Sequence, residues 1–542
     1  MGKIFFPQYK KGKLGLPIKI NRTILEHIRE LGLNINAECS GKGKCGKCII
    51  RIEKGKENIG DITEIEKKFN LSVNDRLACQ TKIINDNDIV VYIKELGEFE
   101  ILKKTECKEI KLNPCVYHRG NMIFYNNEKI SENYRNKIYG LAIDLGTTTI
   151  VIELVNLETG DVLYSISKMN PQIMYGNDVI SRIEYVMIDK ETHAYLDKKE
   201  SETKLKELQT SVINMINESL DEFDSVLNNN ISQNIYDIVI TGNPTMRNIF
   251  FGLDISSLGL IPFEPLNKEQ ILVDAQILGL KINKYGRIYG APLIGGQVGS
   301  DTLANIISTG IYKSEKVSMI IDFGTNCEIV LGNSNRLIAT SYPSGGAFEG
   351  AGISSGIGAV KGAITDIVIK DHKVIYHTIG NTAPIGICGS GLIDLLAQLL
   401  INKVMTKNAK LETDFYINDN IKINQNDINQ LITAKAGLNV YQELLIKYYG
   451  IETTDIERIY LSGGFGNYIN IDNAKIIGLL PDIDNNKIIK IGNGSLSGAR
   501  ELLLSRESRD IAERIVSRVE VIKPNEKEEN FIYLMAERMY FN

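Results

Sequence analysis

Short apolar runs alternate with polar positions through the first hundred residues. Lys3–Phe6, Leu16–Ile20, Ile49–Ile52 and Ile89–Ile93 read as strands and Thr23–Leu31 as a helix, which predicts a small α+β module over residues 1–96. Residues 97–137 are mixed and polar, with Lys103, Lys104, Glu106, Lys108 and Glu109 ahead of Asn126–Asn127, and read as a linker or short connecting subdomain. From Gly140 apolar strands are followed by helices, in a region assigned to residues 138–542. That region carries a faint internal repeat. The first copy runs from Gly140 through Asp144-Leu-Gly-Thr-Thr-Thr149 into the strand Ile150–Val155, turns at Thr159-Gly160 and resumes at Asp161–Ser165. The second runs from Met319 through Asp322-Phe-Gly-Thr-Asn326 into Glu328–Leu331, turns at Gly332-Asn333 and resumes at Leu337–Ser341. Duplicated strand-turn-strand units predict two lobes with a cleft between them.

With 542 residues, 43% of them hydrophobic, the chain can fill several cores. A net charge of -5 and the lack of a polybasic tail argue against nucleic acid as a partner. Charges interrupt the apolar run of Met1–Lys11, Phe6 stands where myristoylation wants Ser or Thr, and Asp144 and Asp322 break the best candidate membrane spans. The expectation is a cytoplasmic protein with no membrane partner. In that compartment eight cysteines point to metal binding or catalysis before disulfides.

Four of them, Cys39, Cys45, Cys48 and Cys79, are spaced C-x5-C-x2-C-x30-C. A [2Fe–2S] cluster takes three thiolates from one loop and a fourth from elsewhere, as in plant-type ferredoxins with C-x4-C-x2-C…C. The extra residue in the first gap resembles the adrenodoxin-like branch of those ferredoxins. Gly41, Gly43 and Gly46 would let the loop wrap a cluster and turn N–H groups toward its sulfurs. Zinc ribbons usually need two close pairs and only Cys45/Cys48 is paired; thioredoxin-like chemistry would leave Cys39 and Cys79 unused. Lys42, Lys44 and Lys47 either steer an acidic partner or form a solvated loop. Cys107, Cys115, Cys327 and Cys388 lack a four-ligand spacing and read as ordinary thiols.

Three separated segments fit an ATP site. Asp144-Leu-Gly146-Thr147-Thr148 and Asp322-Phe-Gly324-Thr325-Asn326 each place an Asp at a strand end before a Gly-Thr turn, and Gly463-Gly464-Phe-Gly466 follows the strand Arg458–Leu461. Together they resemble the phosphate-1, phosphate-2 and adenosine order of the actin and sugar-kinase superfamily. In such a site the turn N–H groups and Thr hydroxyls bind phosphates, Asp144 holds Mg²⁺ through water, Asp322 holds Mg²⁺ or orients the attacking water, and Gly463 and Gly464 admit the adenosine. The helices Asp301–Thr309 and the one opening at Gly494–Ala499 occupy the places of that superfamily's connecting helices. Asp301 is placed to touch Mg²⁺, but the preferred reading is a structural one, an early-helix acid that favours the dipole. There is no Gly-x4-Gly-Lys-[Ser/Thr] P-loop.

A ferredoxin module ahead of such an ATPase resembles the ATP-dependent reductive activators of corrinoid proteins. The resemblance extends to Asn170-Pro-Gln172…Tyr175–Ile183, Thr241–Met246, Ser344–Ala351 and Gly386–Asp394. It implies a β-grasp [2Fe–2S] ferredoxin domain, a linker and a two-lobed actin-like ATPase with duplicated ribonuclease-H-like halves. It also implies a one-electron reductase that uses ATP to return a methyltransferase-system corrinoid protein from Co(II) to Co(I), supplied by an upstream low-potential donor, with a homodimer compatible. The alternatives are an activator of another low-potential enzyme, such as a 2-hydroxyacyl-CoA dehydratase, and a non-enzymatic nucleotide-binding redox sensor.

Overall fold

The computed structural model describes residues 2–541 except 10, 34, 36, 38–40, 44, 45, 70, 72, 73, 95–109, 135, 136, 190, 191, 228, 229 and 465. Two compact units emerge, residues 1–97 with 169–212 and residues 98–168 with 213–542.

In the first unit, β1 (Lys3–Phe5), β2 (Leu16–Pro17), β3 (Ile49–Lys54), β4 (Asp75–Leu77) and β5 (Ile89–Ile93) form one sheet in the order β2-β1-β5-β3-β4. β1 and β5 are parallel and the other pairs antiparallel. Helix Ile24–Glu30 starts where Thr23 and Glu26 form a reciprocal capping box, which satisfies two orphan N–H groups. Its Ile24, Leu25 and Ile28 share a core with Ile4, Ile50 and Val91 of the sheet. A mixed sheet grasping one helix is the expected β-grasp. The strand β4 was not anticipated: Asp-Arg-Leu has no apolar pattern, yet Asp75 and Arg76 are buried. Their charges are met by partners. Arg76 pairs with Glu66 at 2.8 Å, and Glu66 also accepts the Leu77 N–H at 3.0 Å.

The segment 169–212 belongs to the same unit. Fully buried Arg182 donates to the Gly176 carbonyl at 2.9 Å and to the Gln172 amide oxygen at 3.0 Å, and Asp178 caps helix Val179–Met187. Asn170, Gln172 and Arg182 of this segment therefore form an internal network.

The second unit opens with a meander, β6 (Val116–Arg119), β7 (Met122–Tyr125) and β8 (Glu128–Ser131), within the stretch read as linker or subdomain. Val116, Ile123 and Tyr125 bury into the core of the first lobe. That lobe is built on β9 (Tyr139–Leu145), β10 (Thr149–Asn156), β11 (Val162–Met169), β12 (Ile235–Thr241), β13 (Ile271–Asp274) and β14 (Arg287–Gly290), ordered β11-β10-β9-β12-β14-β13.

The second lobe begins with β15 (Ser318–Phe323), β16 (Cys327–Gly332) and β17 (Leu337–Tyr342). The small sheets β18 (Ala363–Lys370), β19 (Lys373–Thr378), β20 (Gly386–Ile387) and β21 (Phe415–Tyr416), β22 (Lys422–Ile423) follow. Then come β23 (Arg458–Ser462), β24 (Ile488–Gly492) and β25 (Val519–Val521). The main sheet reads β24-β23-β15-β16-β17-β25. In each main sheet an antiparallel set, β9 with β10 in the first lobe and β15 with β16 and β17 in the second, is extended by two parallel strands on the side of its first strand, and the sheets differ in an edge strand, β13 in the first lobe and β25 in the second. The duplicated halves expected from the repeat are present.

Helices Ser300–Thr309 and Gly494–Leu504 cross between the lobes. Leu303, Ile306 and Ile307 of one and Leu496, Leu502 and Leu503 of the other are buried together, each side chain worth about 1.5–3 kcal/mol of transfer free energy. The approach is close enough that a Cβ on Gly498 would fall 2.1 Å from the Ala304 carbonyl oxygen. Among the described residues no helix is long and apolar enough to cross a membrane.

Candidate functional site

The register of the two sheets places Asp144 beside Thr241 at the end of β9 and Asp322 beside Ser462 at the end of β15. Both carboxylates therefore emerge at the same edge of their sheets and line one cleft in the second unit. Gly146, Thr147, Thr148, Gly324, Thr325 and Asn326 line it from the two hairpin turns. Gly463 and Gly464 line it as well. The turns meet across the cleft: the Thr148 and Thr325 hydroxyls are 3.1 Å apart, and Thr325 donates to Glu349 at 2.7 Å. Thr147 accepts from the Asn243 amide at 2.9 Å.

Each aspartate is held by a helix of the crossing pair. Asn493 and Ser495, at the start of Gly494–Leu504, each donate to Asp144 at 2.8 Å. Asn305, on Ser300–Thr309, donates to Asp322 at 2.6 Å. Gly463 is required by geometry rather than by a ligand alone. It has φ +95°, and a Cβ there would lie 2.1 Å from the Phe323 carbonyl oxygen and 2.9 Å from Asp322 Oδ1. Gly464 has open space around its Cα, whereas Gly466 packs against the Ser462 carbonyl and Phe323 and does not line the cleft.

The electrostatics of the cleft favour a cation. Burial raises the pKa of Asp144. Burial, then repulsion from Asp322 and Asp144, pushes Asp301 up to about 7. Burial and repulsion from Asp144 push Asp322 up to about 6. Burial, then Asp301 and Asp322, drive Glu328 well above the carboxylate range. Asp301 does open its helix as expected, with its carboxylate accepting from the Thr302 N–H at 2.7 Å, but it also lines the cleft. A hydrated Mg²⁺ suits such a site, because it takes oxygen ligands, keeps waters and removes the like-charge cost.

In the first unit, Cys48 and Cys79 are buried on neighbouring stretches, joined by the Ala78 N–H bond to the Cys48 carbonyl at 2.8 Å. Cys39 and Cys45 lie outside the described residues. The loop between them comes back to Cys79: a Cβ on Gly41 would be 3.8 Å from the Cys79 Cβ, and one on Gly46 (φ +68°) would strike the Phe69 ring at 2.4 Å. The Gln80 amide donates to Cys79 Sγ at 3.5 Å. Two buried thiols on hydrogen-bonded stretches, next to a glycine loop whose sequence carries two more, fit a four-thiolate iron–sulfur cluster. Of the remaining cysteines, Cys107 is outside the described residues. Burial pushes the Cys115 thiol up to about 11 and Cys327 up to about 12, and raises Cys388, as inert thiols require. Lys42 approaches Glu184 only at 4.0 Å, both exposed, and Lys44 is outside the described residues.

Sequence reasoning had assigned no role to Asn243, Asn305, Asn493, Glu349 or Gln80. Asn243 and Glu349 fall inside the Thr241–Met246 and Ser344–Ala351 segments, so the signal was present without its meaning.

Comparison with known proteins finds relatives for both units. Residues 11–83 match a family model described as a 2Fe-2S iron-sulfur cluster binding domain, 139–314 one described as the RACo middle region, and 316–542 one described as the C-terminal domain of RACo, the ASKHA domain. The corrinoid activation enzyme RamQ of Eubacterium limosum is 31% identical over 567 residues, covering 90% of each chain. The chain belongs to the family of corrinoid activation enzymes. A second member, the [Co(II) methylated amine-specific corrinoid protein] reductase of Methanosarcina barkeri, is 27% identical over 418 residues, 70% of this chain and 73% of that one. The solved structure of a reductive activator for a corrinoid, iron–sulfur protein superposes with a TM-score of 0.71 at 27% identity, over 100% of this chain and 98% of the other. The family's fold is a ferredoxin domain followed by an actin-like ATPase, and the β-grasp unit and the doubled lobes here are that fold.

Proposed function

We propose that this protein is an ATP-dependent reductase that returns a corrinoid protein from Co(II) to Co(I). The observation that carries the reading is the presence in one chain of a thiol pocket built for a one-electron carrier and a two-lobed cleft built for MgATP. Cys39, Cys45, Cys48 and Cys79 would hold a [2Fe–2S] cluster, which supplies one electron at a time when bound. The Gln80 amide donates to the Cys79 sulfur, a bond that favours the more negative, reduced form.

In the ATPase half the turn N–H groups of Gly146–Thr148 and Gly324–Asn326 would bind the phosphates, and Asp144 and Asp322 would hold the hydrated cation or orient the attacking water. Gly464 leaves room for the nucleoside. Thr148 and Thr325, already in contact across the cleft, close on the phosphates from both lobes. ATP is needed because Co(II) corrinoids are reduced only at very low potential, and each shortfall of about 59 mV lowers a one-electron equilibrium tenfold. Nucleotide binding sets the angle between the lobes, and that movement holds the corrinoid partner in a more reducible state. The protein works in the cytoplasm, takes electrons from an upstream low-potential donor and is compatible with a homodimer.

The test is to mix the reduced protein anaerobically with a Co(II) corrinoid protein and follow the optical spectrum. Conversion to Co(I) only with MgATP is the expected result; equal yields without ATP would refute the coupling.

A further inference from the structure

The two connecting helices cross where Gly498 meets Ala304, and the next residue on the first helix, Asn305, is fully buried. Its side chain spans the crossing. Nδ2 donates to Asp322 Oδ2 at 2.6 Å and to the Asp301 carbonyl at 3.2 Å. Oδ1 is buried without a hydrogen-bond partner and faces Gly494, where a Cβ would come within 2.0 Å of it. Gly494 opens the second helix, and its neighbours Asn493 and Ser495 hold the two oxygens of Asp144.

Packing alone does not account for an amide here. An apolar side chain would fill the space without leaving a buried oxygen unpaired, which costs free energy. What the amide adds is a short, charge-assisted bond to Asp322. Oδ1 occupies the space that a Cβ on residue 494 would need, so the second helix start lies directly against the Asn305 side chain and a shift at the crossing is passed to it.

We propose that Asn305 is a positioning residue that aims the carboxylate of Asp322 and ties its direction to the setting of the two crossing helices. Lobe closure thereby aligns Asp322 at the same time as the Asn493 and Ser495 donors align Asp144. The inference rests on the ATP-hydrolysing reading of the cleft.

The test uses the full-length, cluster-loaded protein with Asn305→Ala and Asn305→Ser. Phosphate release at saturating MgATP should fall about tenfold or more, the scale of a misplaced catalytic group. Affinity for a fluorescent ATP analogue should stay within about twofold, a split expected when an interaction acts beyond ground-state binding. With Mn²⁺ in place of Mg²⁺, the electron paramagnetic resonance line shape of the bound ion should change. Unaltered hydrolysis in both variants, or loss of affinity in parallel with hydrolysis and thermal stability, would overturn the inference. Failure of both variants to fold would make Asn305 a packing residue and equally overturn it. Absence of nucleotide binding by the unmodified protein would instead overturn the reading of the cleft, and the inference with it.

Discussion

Gly498→Ala tests the helix crossing directly. The new methyl would sit 2.1 Å from the Ala304 carbonyl oxygen and 2.5 Å from its carbon, backbone atoms that have no rotamer to escape into. Restoring an ordinary contact of 3.4 Å requires the helices to part by about 1.3 Å. Alanine improves the intrinsic helix propensity by about 0.8–1.0 kcal/mol over glycine, whereas overpacking costs about 1–3 kcal/mol. The net expectation is a modest destabilisation, up to about 2 kcal/mol. Function should suffer more. Displacing the first helix by that amount stretches the 2.6 Å bond between Asn305 and Asp322, and displacing the second stretches the Asn493 and Ser495 bonds to Asp144; a misplacement near 1 Å costs a catalytic site about 10²-fold. Phosphate release and thermal unfolding measured on one preparation separate the two effects. A variant that is as stable as the parent and hydrolyses ATP at the parental rate would show that the crossing has slack, and the reasoning would fail.

Glu153→Gln removes one partner of a buried ion pair, since Arg500 reaches its two oxygens at 3.0 and 2.8 Å; denaturant unfolding should report a loss of about 3–5 kcal/mol. Cys79→Ala should lose the visible absorbance of the cluster and all electron transfer, whereas Asp322→Ala should keep the absorbance and lose the ATP dependence. Anaerobic spectra with a Co(II) corrinoid protein read both, and intact activity in either variant would refute that assignment. The β-grasp unit should weaken in mild acid. His27 is buried, donates from Nδ1 to the Thr23 carbonyl at 2.9 Å and accepts the Lys19 N–H at 3.0 Å on Nε2, and burial lowers its pKa below the ordinary 6.5. The unfolded chain therefore binds the extra proton first: the contribution is complete above pH 6.5 and is lost as the pH falls through the lowered folded value. Unfolding followed from pH 8 to 5 in the protein and in His27→Gln should show a greater loss of stability toward acid in the former; equal pH profiles would refute the assignment.

The doubled lobes were legible because each begins with an apolar strand ending in Asp and a glycine turn, and strand periodicity survives in buried antiparallel ladders. The helix opening at Ser300 was legible from its turn signals. β4 was not, because Asp75 and Arg76 are buried as satisfied charges, which alternation cannot show. The meander β6–β8 hid for another reason. Its polar positions are its exposed face, and the apolar ones are few. Asp301 reads from sequence as a helix-opening acid with a Mg²⁺ contact as the lesser alternative; it does open its helix, and its approach to Asp322 and Asp144 arises only when two lobes fold together. Asn305 and Asn493 were invisible for the same cause, since each serves an aspartate far away in sequence, 17 positions from Asp322 in one case and 349 from Asp144 in the other.

That long reach sets where the chain can be recombined. Asp144 belongs to the first lobe, yet the residues that hold it open the helix Gly494–Leu504 near the far end of the chain. Exchanging residues 139–314 between two related activators would move an aspartate away from its holders. A functional chimaera has to carry Asn493 through Leu504 along with the first lobe, and to leave Asn305 with the second. The working unit around Asp144 is thus a strand and a distant helix together, so a change at either end is felt at the other.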